Sequence, residues 1–307
     1  MSEKLGSVLI AEVGSITTRV TLIDSVEGET RLIGQAEAAT SMEPPYEDVL
    51  IGILEGAARI ADATGRQLLR DGRLMKPQNN ERDGINHVLV TTSAAGNLAL
   101  IIAGIARDVS ARSALHAARS TYTAILQTVT LDDAVLHPEL QRTSSWVERQ
   151  VQTMLALQPD AIVLAGGLEQ GAKEVLCRLA RIIGFSIEHM AGANQQHSRR
   201  SRPAFPVIYA GNTEARQCVQ QALGNRAEVR MVDNLRPTME DEQLEGVRHE
   251  LVRLYEQRML QNLPGSDSLA HLCSAPVTTA CHMSGVMTRF LSERYWAACV
   301  VARCWRV

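Results

Sequence analysis

Aromatic side chains are scarce, with Phe, Tyr and Trp making up 4% of 307 residues. Any core must therefore be filled by Val, Ile, Leu and Ala. A charge excess is missing as well. Thirty-one Lys and Arg face 34 Asp and Glu, a net charge of -3, which excludes a broad basic face for nucleic acid or acidic membrane. No apolar run reaches the roughly 18 residues of a membrane-spanning helix. The opening Met1-Ser2-Glu3-Lys4-Leu5-Gly6 lacks the charged-then-apolar design of a signal segment. Cysteines number six, without the paired spacing of a disulfide framework. Together these absences predict a cytoplasmic protein. The G-x-S-x-G elbow, the H-E-x-x-H pair and the G-x-x-x-x-G-K-[ST] loop are absent too, which disfavours nucleophilic and zinc hydrolases.

What is present is the material of a folded α/β protein. Hydrophobic residues make up 45% and charged residues 21%, enough to build a core. A chain of 307 residues exceeds one average domain, so two subdomains or one large α/β unit are expected. Residues 8–13 form an apolar run of strand length, broken at Gly14-Ser15 and resumed with half-buried alternation over 18–24. A further β-like stretch over 30–39 extends this to an antiparallel meander. Within 48–69, Val49, Leu50, Ile53, Leu54, Ala57 and Ile60 recur at helical spacing. Residues 71–84 are polar and read as a loop between subdomains.

One theme then repeats: a short apolar strand, small residues, a helix. Residues 87–92 run into Ser93-Ala94-Ala95-Gly96, with helices predicted over 98–106 and 110–129. Residues 160–164 meet Ala165-Gly166-Gly167 before a predicted helix over 173–183. Residues 206–209 meet Ala210-Gly211-Asn212 before another over 214–223, and 229–232 form a last strand. Such alternation predicts a parallel sheet flanked by helices. Residues 240–261 read as one long charged helix. The expected division is 1–84, a parallel α/β subdomain over 85–238, a helix and return over 239–295, and a tail over 296–307. That tail crowds Trp296, Cys299, Cys304 and Trp305 without a period.

Two constellations could carry chemistry. Glu12-Val13-Gly14-Ser15-Ile16-Thr17-Thr18-Arg19 lies at the turn between two apolar strands. Glycine lets such a turn approach an anion, and backbone N–H groups with hydroxyls can cradle phosphate oxygens. A carboxylate at the strand end, Glu12, can hold a hydrated Mg²⁺. An ordinary hairpin whose Ser and Thr serve the turn accounts for the same residues. The second constellation is the set of strand ends carrying Ser93, Gly96, Gly166, Gly167, Gly211 and Asn212. In open parallel sheets, ligands settle beyond the carboxyl ends of strands, but small residues also permit tight strand-to-helix turns. Cys273, Cys281, His282, Cys299 and Cys304 have spacings that fit no closed zinc site. Arg199, Arg200 and Arg202 read as a solvated loop.

These motifs in this order resemble the glutamate mutase accessory protein family, labelled MutL or GlmL, over roughly residues 7–295. The matching segments are 10–19, 91–96, 159–167, 206–212, 233–238 and 274–277. The family is similar to actin, Hsp70 and sugar-kinase ATPases. The resemblance implies an actin-like (ribonuclease H-like) first lobe with a β-hairpin phosphate loop and an inserted parallel α/β subdomain. It implies ATP and Mg²⁺ as cofactors and, as partner, the adenosylcobalamin-dependent glutamate mutase, for which the family serves as a chaperone-like reactivating factor. By that resemblance Gly14, Ser15, Thr17 and Thr18 form the first phosphate loop. Arg19 stands where relatives carry Lys, and Glu12 where actin-like ATPases have Asp. After Arg294-Tyr295 the chain departs from relatives, which continue into a second glycine-rich phosphate loop. A missing second lobe and weak or absent ATP hydrolysis by this chain alone are therefore expected.

A small-molecule kinase of the same superfold is the alternative, although no acceptor pocket with a convergent base can be nominated. A non-catalytic partner-binding module, docking through 85–238, is the third reading. The mutase itself is excluded, because the Asp-x-His-x-x-Gly signature of many cobalamin enzymes is absent.

Overall fold

The computed structural model of the chain describes residues 6–80, 82–132, 146–171, 173–194 and 204–277. The 296–307 tail, the arginine loop at 199–202, and Cys281, His282, Cys299 and Cys304 lie outside them. The chain divides into two compact units, Met1–Gly96 with Arg258–Val307, and Asn97–Gln257.

Unit 1 is built on a four-stranded sheet. β1 (Val8–Val13), β2 (Thr17–Val26) and β3 (Glu29–Ala39) form the expected antiparallel meander, and β6 (His87–Thr92) joins the other side of β1 in parallel, giving the order β3-β2-β1-β6. β2 alternates between buried and open positions, the signature of a strand with one covered face. That face is covered by α1 (Val49–Thr64), whose Val49, Ile53, Ala57 and Ile60 pack with Leu9, Ala11, Val20 and Leu22 in one core. Asp48 caps the helix by accepting from the Leu50 N–H at 2.9 Å. The helix expected over 48–69 stops at Thr64, and a hairpin of two-residue strands, β4 (Leu69–Arg70) and β5 (Arg73–Leu74), takes the end of that stretch and the start of the segment read as loop. α7 (Ser266–Leu272) also belongs to this unit.

The chain passes between units at Gly96, later than the 84/85 boundary expected from the polar stretch. The reason is register: Val8 pairs with His87 and Val13 with Thr92, which makes β6 a strand of the first sheet.

Unit 2 is a five-stranded parallel sheet in the order β11-β10-β9-β7-β8. Its strands are β7 (Leu98–Gly104), β8 (Thr123–Thr130), β9 (Ala161–Gly166), β10 (Phe205–Gly211) and β11 (Ala227–Met231). Taken in chain order this is the 2-1-3-4-5 winding of doubly wound sheets. Among the described residues its helices are α2 (Arg112–Arg119), α3 (Trp146–Leu157), α4 (Glu174–Asn194), α5 (Arg216–Leu223) and α6 (Glu245–Tyr255). α4 and α5 bring Leu176, Leu179, Ile183 and Val219 onto Ile162, Leu164 and Val207 of the sheet.

Four expectations are corrected here. Residues 98–106 are not helical. Leu98, Leu100, Ile101, Ile102 and Ala103 are all fully buried in a strand with a neighbour on each side. A strand covered on both faces loses alternation and reads like a buried helix. The helix over 110–129 shrinks to Arg112–Arg119 after a π-turn at Arg107–Ala111, and the β-branched Thr123–Thr130 segment is a strand. The helix over 240–261 begins only at Glu245 and gives way to a π-turn at Glu256–Leu260. Finally, Cys177 and Cys218 form a disulfide across 41 residues, with Cα atoms 5.6 Å apart. Linear spacing concealed it because the two cysteines meet only when α4 and α5 pack. Among the described residues no helix is long and apolar enough to cross a membrane.

Candidate functional site

In unit 1 the two candidate turns become neighbours because their strands run parallel. β1 and β6 end together, and the Ser93 N–H donates to the Val13 carbonyl at 3.1 Å. The turn of Gly14 to Thr17 and the turn of Ser93 to Gly96 therefore stand at one sheet end, where ligands collect in α/β folds. The first turn closes when the Gly14 N–H donates to the Thr17 carbonyl at 3.0 Å. The amides of Ser15 and Ile16 have no hydrogen-bond partner among the described residues, and both side chains face solvent. Two adjacent free donors on an exposed turn are suited to phosphate oxygens.

The side chains sort differently from the sequence expectation. Thr17 is exposed at the turn, but Thr18 is fully buried. Its hydroxyl shares a hydrogen bond with that of Thr40 at 2.9 Å, and the Thr40 hydroxyl donates to the Gly14 carbonyl at 2.9 Å. The Thr40 N–H also donates to the Ile16 carbonyl at 2.8 Å. Thr18 thus braces the turn from beneath, through a residue that sequence reasoning missed. A meander predicts that β3 returns beside β2. It does not say which side chain arrives under the turn.

Arg19 is held by carboxylates. Its Nε and Nη2 donate to Glu37 at 3.0 and 2.9 Å, and Nη1 lies 3.5 Å from Glu12. All three side chains are about half exposed. Two acids around one cation leave this corner locally negative. Glu12 brings no second carboxylate of its own, and no group of three or more His, Cys, Asp or Glu placed to hold a metal occurs among the described residues. Such a donor set fits only a water-rich Mg²⁺ that arrives with phosphates, since this ion keeps several waters and needs one or two carboxylates. On the second turn, the Ala94 N–H donates to the Thr92 hydroxyl at 3.0 Å, Ser93 and Gly96 are exposed, and Gly96 has φ +72°.

In unit 2 the parallel pairing of β9 with β10 sets Gly211 beside Gly166. The approach is close: a Cβ at Gly211 would lie 2.3 Å from the Gly166 carbonyl oxygen, and the Asn212 N–H donates to that oxygen at 3.0 Å. Asn212 is fully buried. Its carbonyl side-chain oxygen caps the following turn by accepting from the Glu214 N–H at 2.8 Å, and its amide donates to the Gly171 carbonyl at 3.2 Å. The donors at this strand end already serve an internal anion. Glu169 accepts from the Thr213 N–H at 3.2 Å and from the Asn234 amide at 2.7 Å, while Asn234 also donates to the Gly167 carbonyl at 2.9 Å. Burial pushes the Glu169 carboxyl upward, but the bonds from Thr213 and Asn234 with the nearby Arg216 charge outweigh it and hold its pKa below the ordinary carboxylate range. Burial, reinforced by the Glu169 charge, keeps the Tyr209 hydroxyl protonated, and it donates to the Asn212 carbonyl at 2.7 Å.

The structure thus groups the expected residues in two sets. Gly14, Ser15, Thr17, Ser93 and Gly96 share one end of the unit 1 sheet, and Gly166, Gly167, Gly211 and Asn212 share one end of the unit 2 sheet. Glu169 and Asn234 were missed as site residues although both lie just beyond strand ends. Of the cysteines weighed for zinc, Cys273 is the one described. It is a free thiol pushed up to about 11 by burial, which suits packing rather than ligation.

The sequence model of the MutL protein family matches residues 8–301. The Protein MutL of Clostridium tetanomorphum is 22% identical over 257 residues, covering 82% of this chain and 45% of its own length. The chain thus spans about half the length of that curated relative. Among solved structures, a nucleotide-free acetone carboxylase aligns over 93% of this chain and 40% of its own at 10% identity and a TM-score of 0.34. The activator of 2-hydroxyisocaproyl-CoA dehydratase from Clostridium difficile, with bound ADPNP, aligns over 82% and 97% at 10% identity and a TM-score of 0.18. Scores this low leave the α/β fold resting on the chain's own two sheets.

Proposed function

The chain belongs to the MutL family, and from that premise we propose that it is the nucleotide-gripping part of an accessory factor that reactivates the adenosylcobalamin-dependent glutamate mutase. The observation that carries this reading is the parallel β1–β6 pair, which sets a turn with two free amides beside a second small-residue turn. ATP phosphate oxygens accept from the Ser15 and Ile16 N–H groups and from the Ser15 and Thr17 hydroxyls. Arg19 turns toward them by releasing Glu12 or Glu37. Glu12 would be the carboxylate to hold a hydrated Mg²⁺, which would supply the positive charge that the two acids call for. Catalysis of phosphoryl transfer is mostly positioning and charge stabilisation, and an exposed turn excludes little water. Binding, with slow hydrolysis, is the activity expected of these residues.

Isothermal titration with Mg-ATP tests the reading. A Cβ at Gly14 would sit 2.9 Å from the Thr17 carbonyl oxygen, so Gly14→Val should weaken binding at least about tenfold by shifting the turn, with a small loss of Tm. Equal binding by both proteins would sink the nucleotide assignment. A pull-down against the glutamate mutase subunits checks the partner, and release on adding Mg-ATP is the reactivase outcome. ATP-independent retention favours a docking module, for which unit 2, with its strand-end donors occupied by Glu169, is the better suited part.

A further inference from the structure

The β4–β5 hairpin carries a feature unrelated to the sheet-end turns. Asp71 and Gly72 form its two-residue turn, both with positive φ, +50° and +73°, as an Asp-Gly hairpin turn requires. This tight turn places Arg70 directly across from Arg73. Like charges directly opposed on a hairpin destabilise it. Neither guanidinium has an ion-pair or hydrogen-bond partner among the described residues. Asp71, at the turn, is the only acid lining the adjoining cleft among the described residues.

That cleft has a volume of about 430 Å³ and is lined by Arg70, Arg73, Lys76, Pro77 and Asn79, with Asp71 at its edge. Its walls are held by hydrogen bonds, one of them from a distant part of the chain. The Met75 N–H donates to the Leu68 carbonyl at 2.9 Å, the Ile85 N–H to the Met75 carbonyl at 2.8 Å, and the Lys76 ammonium to the Leu272 carbonyl at 3.0 Å. Among the described residues, three cations and one carboxylate thus line a supported concavity.

We propose that the Arg70–Arg73 hairpin cleft binds a phosphorylated small molecule. Paired guanidiniums match phosphate oxygens in bidentate geometry, and a bound anion removes the repulsion built into the Arg70–Arg73 register. The volume falls within the range of roughly 300–1,000 Å³ for small-ligand pockets, larger than a bare phosphate needs. The site is independent of the turn at Gly14.

Titration of the full chain with inorganic phosphate and pyrophosphate, at low salt and without metal, tests it. The expected result is pyrophosphate binding stronger than phosphate binding. It should weaken at least about tenfold in R70Q/R73Q, the size of a lost charge-assisted contact, and stay unchanged in Gly14→Val. Pyrophosphate should raise the Tm of the wild type and leave that of R70Q/R73Q where it is. Without anion, R70Q/R73Q should melt no lower than the wild type, because it removes a like-charge pair. No pyrophosphate binding, or equal binding by R70Q/R73Q, overturns the proposal. So does Arg-dependent binding of poly-glutamate without pyrophosphate binding, which would assign the cleft to an acidic protein segment.

Discussion

The turn after β1 in unit 1 and the turn after β10 in unit 2 both follow a buried strand and both carry a glycine beside small polar residues. Their backbone donors meet opposite fates. In unit 1 the Ser15 and Ile16 amides are left open on an exposed turn, braced from below by Thr40 and Thr18. In unit 2 the Thr213 amide and the Asn234 side chain already hold Glu169, and Gly211 is pressed against the Gly166 carbonyl. The same cue, a strand ending in small residues, leaves donors open to solvent in one unit and makes a packing device in the other, where the chain supplies its own anion.

The sharpest way to break this comparison is to add a side chain at each glycine. Gly211→Ala must displace buried backbone and should cost about 3 kcal/mol, at the upper end of overpacking losses. Gly14→Val meets the Thr17 carbonyl on an exposed turn that can shift and should cost only about 1 kcal/mol. Urea unfolding of the two variants gives both figures, and equal losses would erase the distinction between the turns.

A smaller effect should follow at Glu169. Removing it in Glu169→Ala takes the anion from the exposed Thr213 N–H and the buried Asn234 amide and should cost about 1 kcal/mol at neutral pH. The sign of its pH dependence follows from a folded pKa held below the unfolded value. Its contribution is fully present above the ordinary carboxylate value of about 4.3 and is lost as pH falls through the lower folded value. Unfolding midpoints between pH 6 and pH 3 should therefore decline more steeply for the wild type than for Glu169→Gln. Parallel declines would show that the carboxylate is not held as an internal anion.

The smallest stability change belongs to Arg19. Its pairs with Glu37 and Glu12 are about half exposed, so Arg19→Ala should lower stability by less than about 1 kcal/mol. Weaker Mg-ATP binding in the same variant would mark a guanidinium that leaves its carboxylates for phosphate. Unchanged binding would leave it a surface ion pair.

Much of unit 1 was legible in the sequence. The alternation in β2 and the helical recurrence from Val49 to Ile60 each carry one period, because each element buries one face only. β7 was misread for the opposite reason, since its residues are buried on both faces and show no period at all. Of the candidate site, Gly14, Ser15 and Thr17 were readable from the break between two strands. Thr18 was assigned the wrong job because alternation in a strand decides its direction, and it points inward. Glu169, Asn234 and the Cys177–Cys218 disulfide were not readable, since the partners of each lie 41 to 65 residues away.

Composition and periodicity alone determined that this chain is an α/β protein with a strand-turn-strand opening and repeated strand-to-helix turns, because local burial patterns are written into residue order. Only tertiary structure decided which turn keeps its donors free among the described residues, which one engages them with Glu169, and that Arg70 faces Arg73. Those outcomes depend on which distant side chain arrives at a given N–H group or charge, and chain packing settles that meeting.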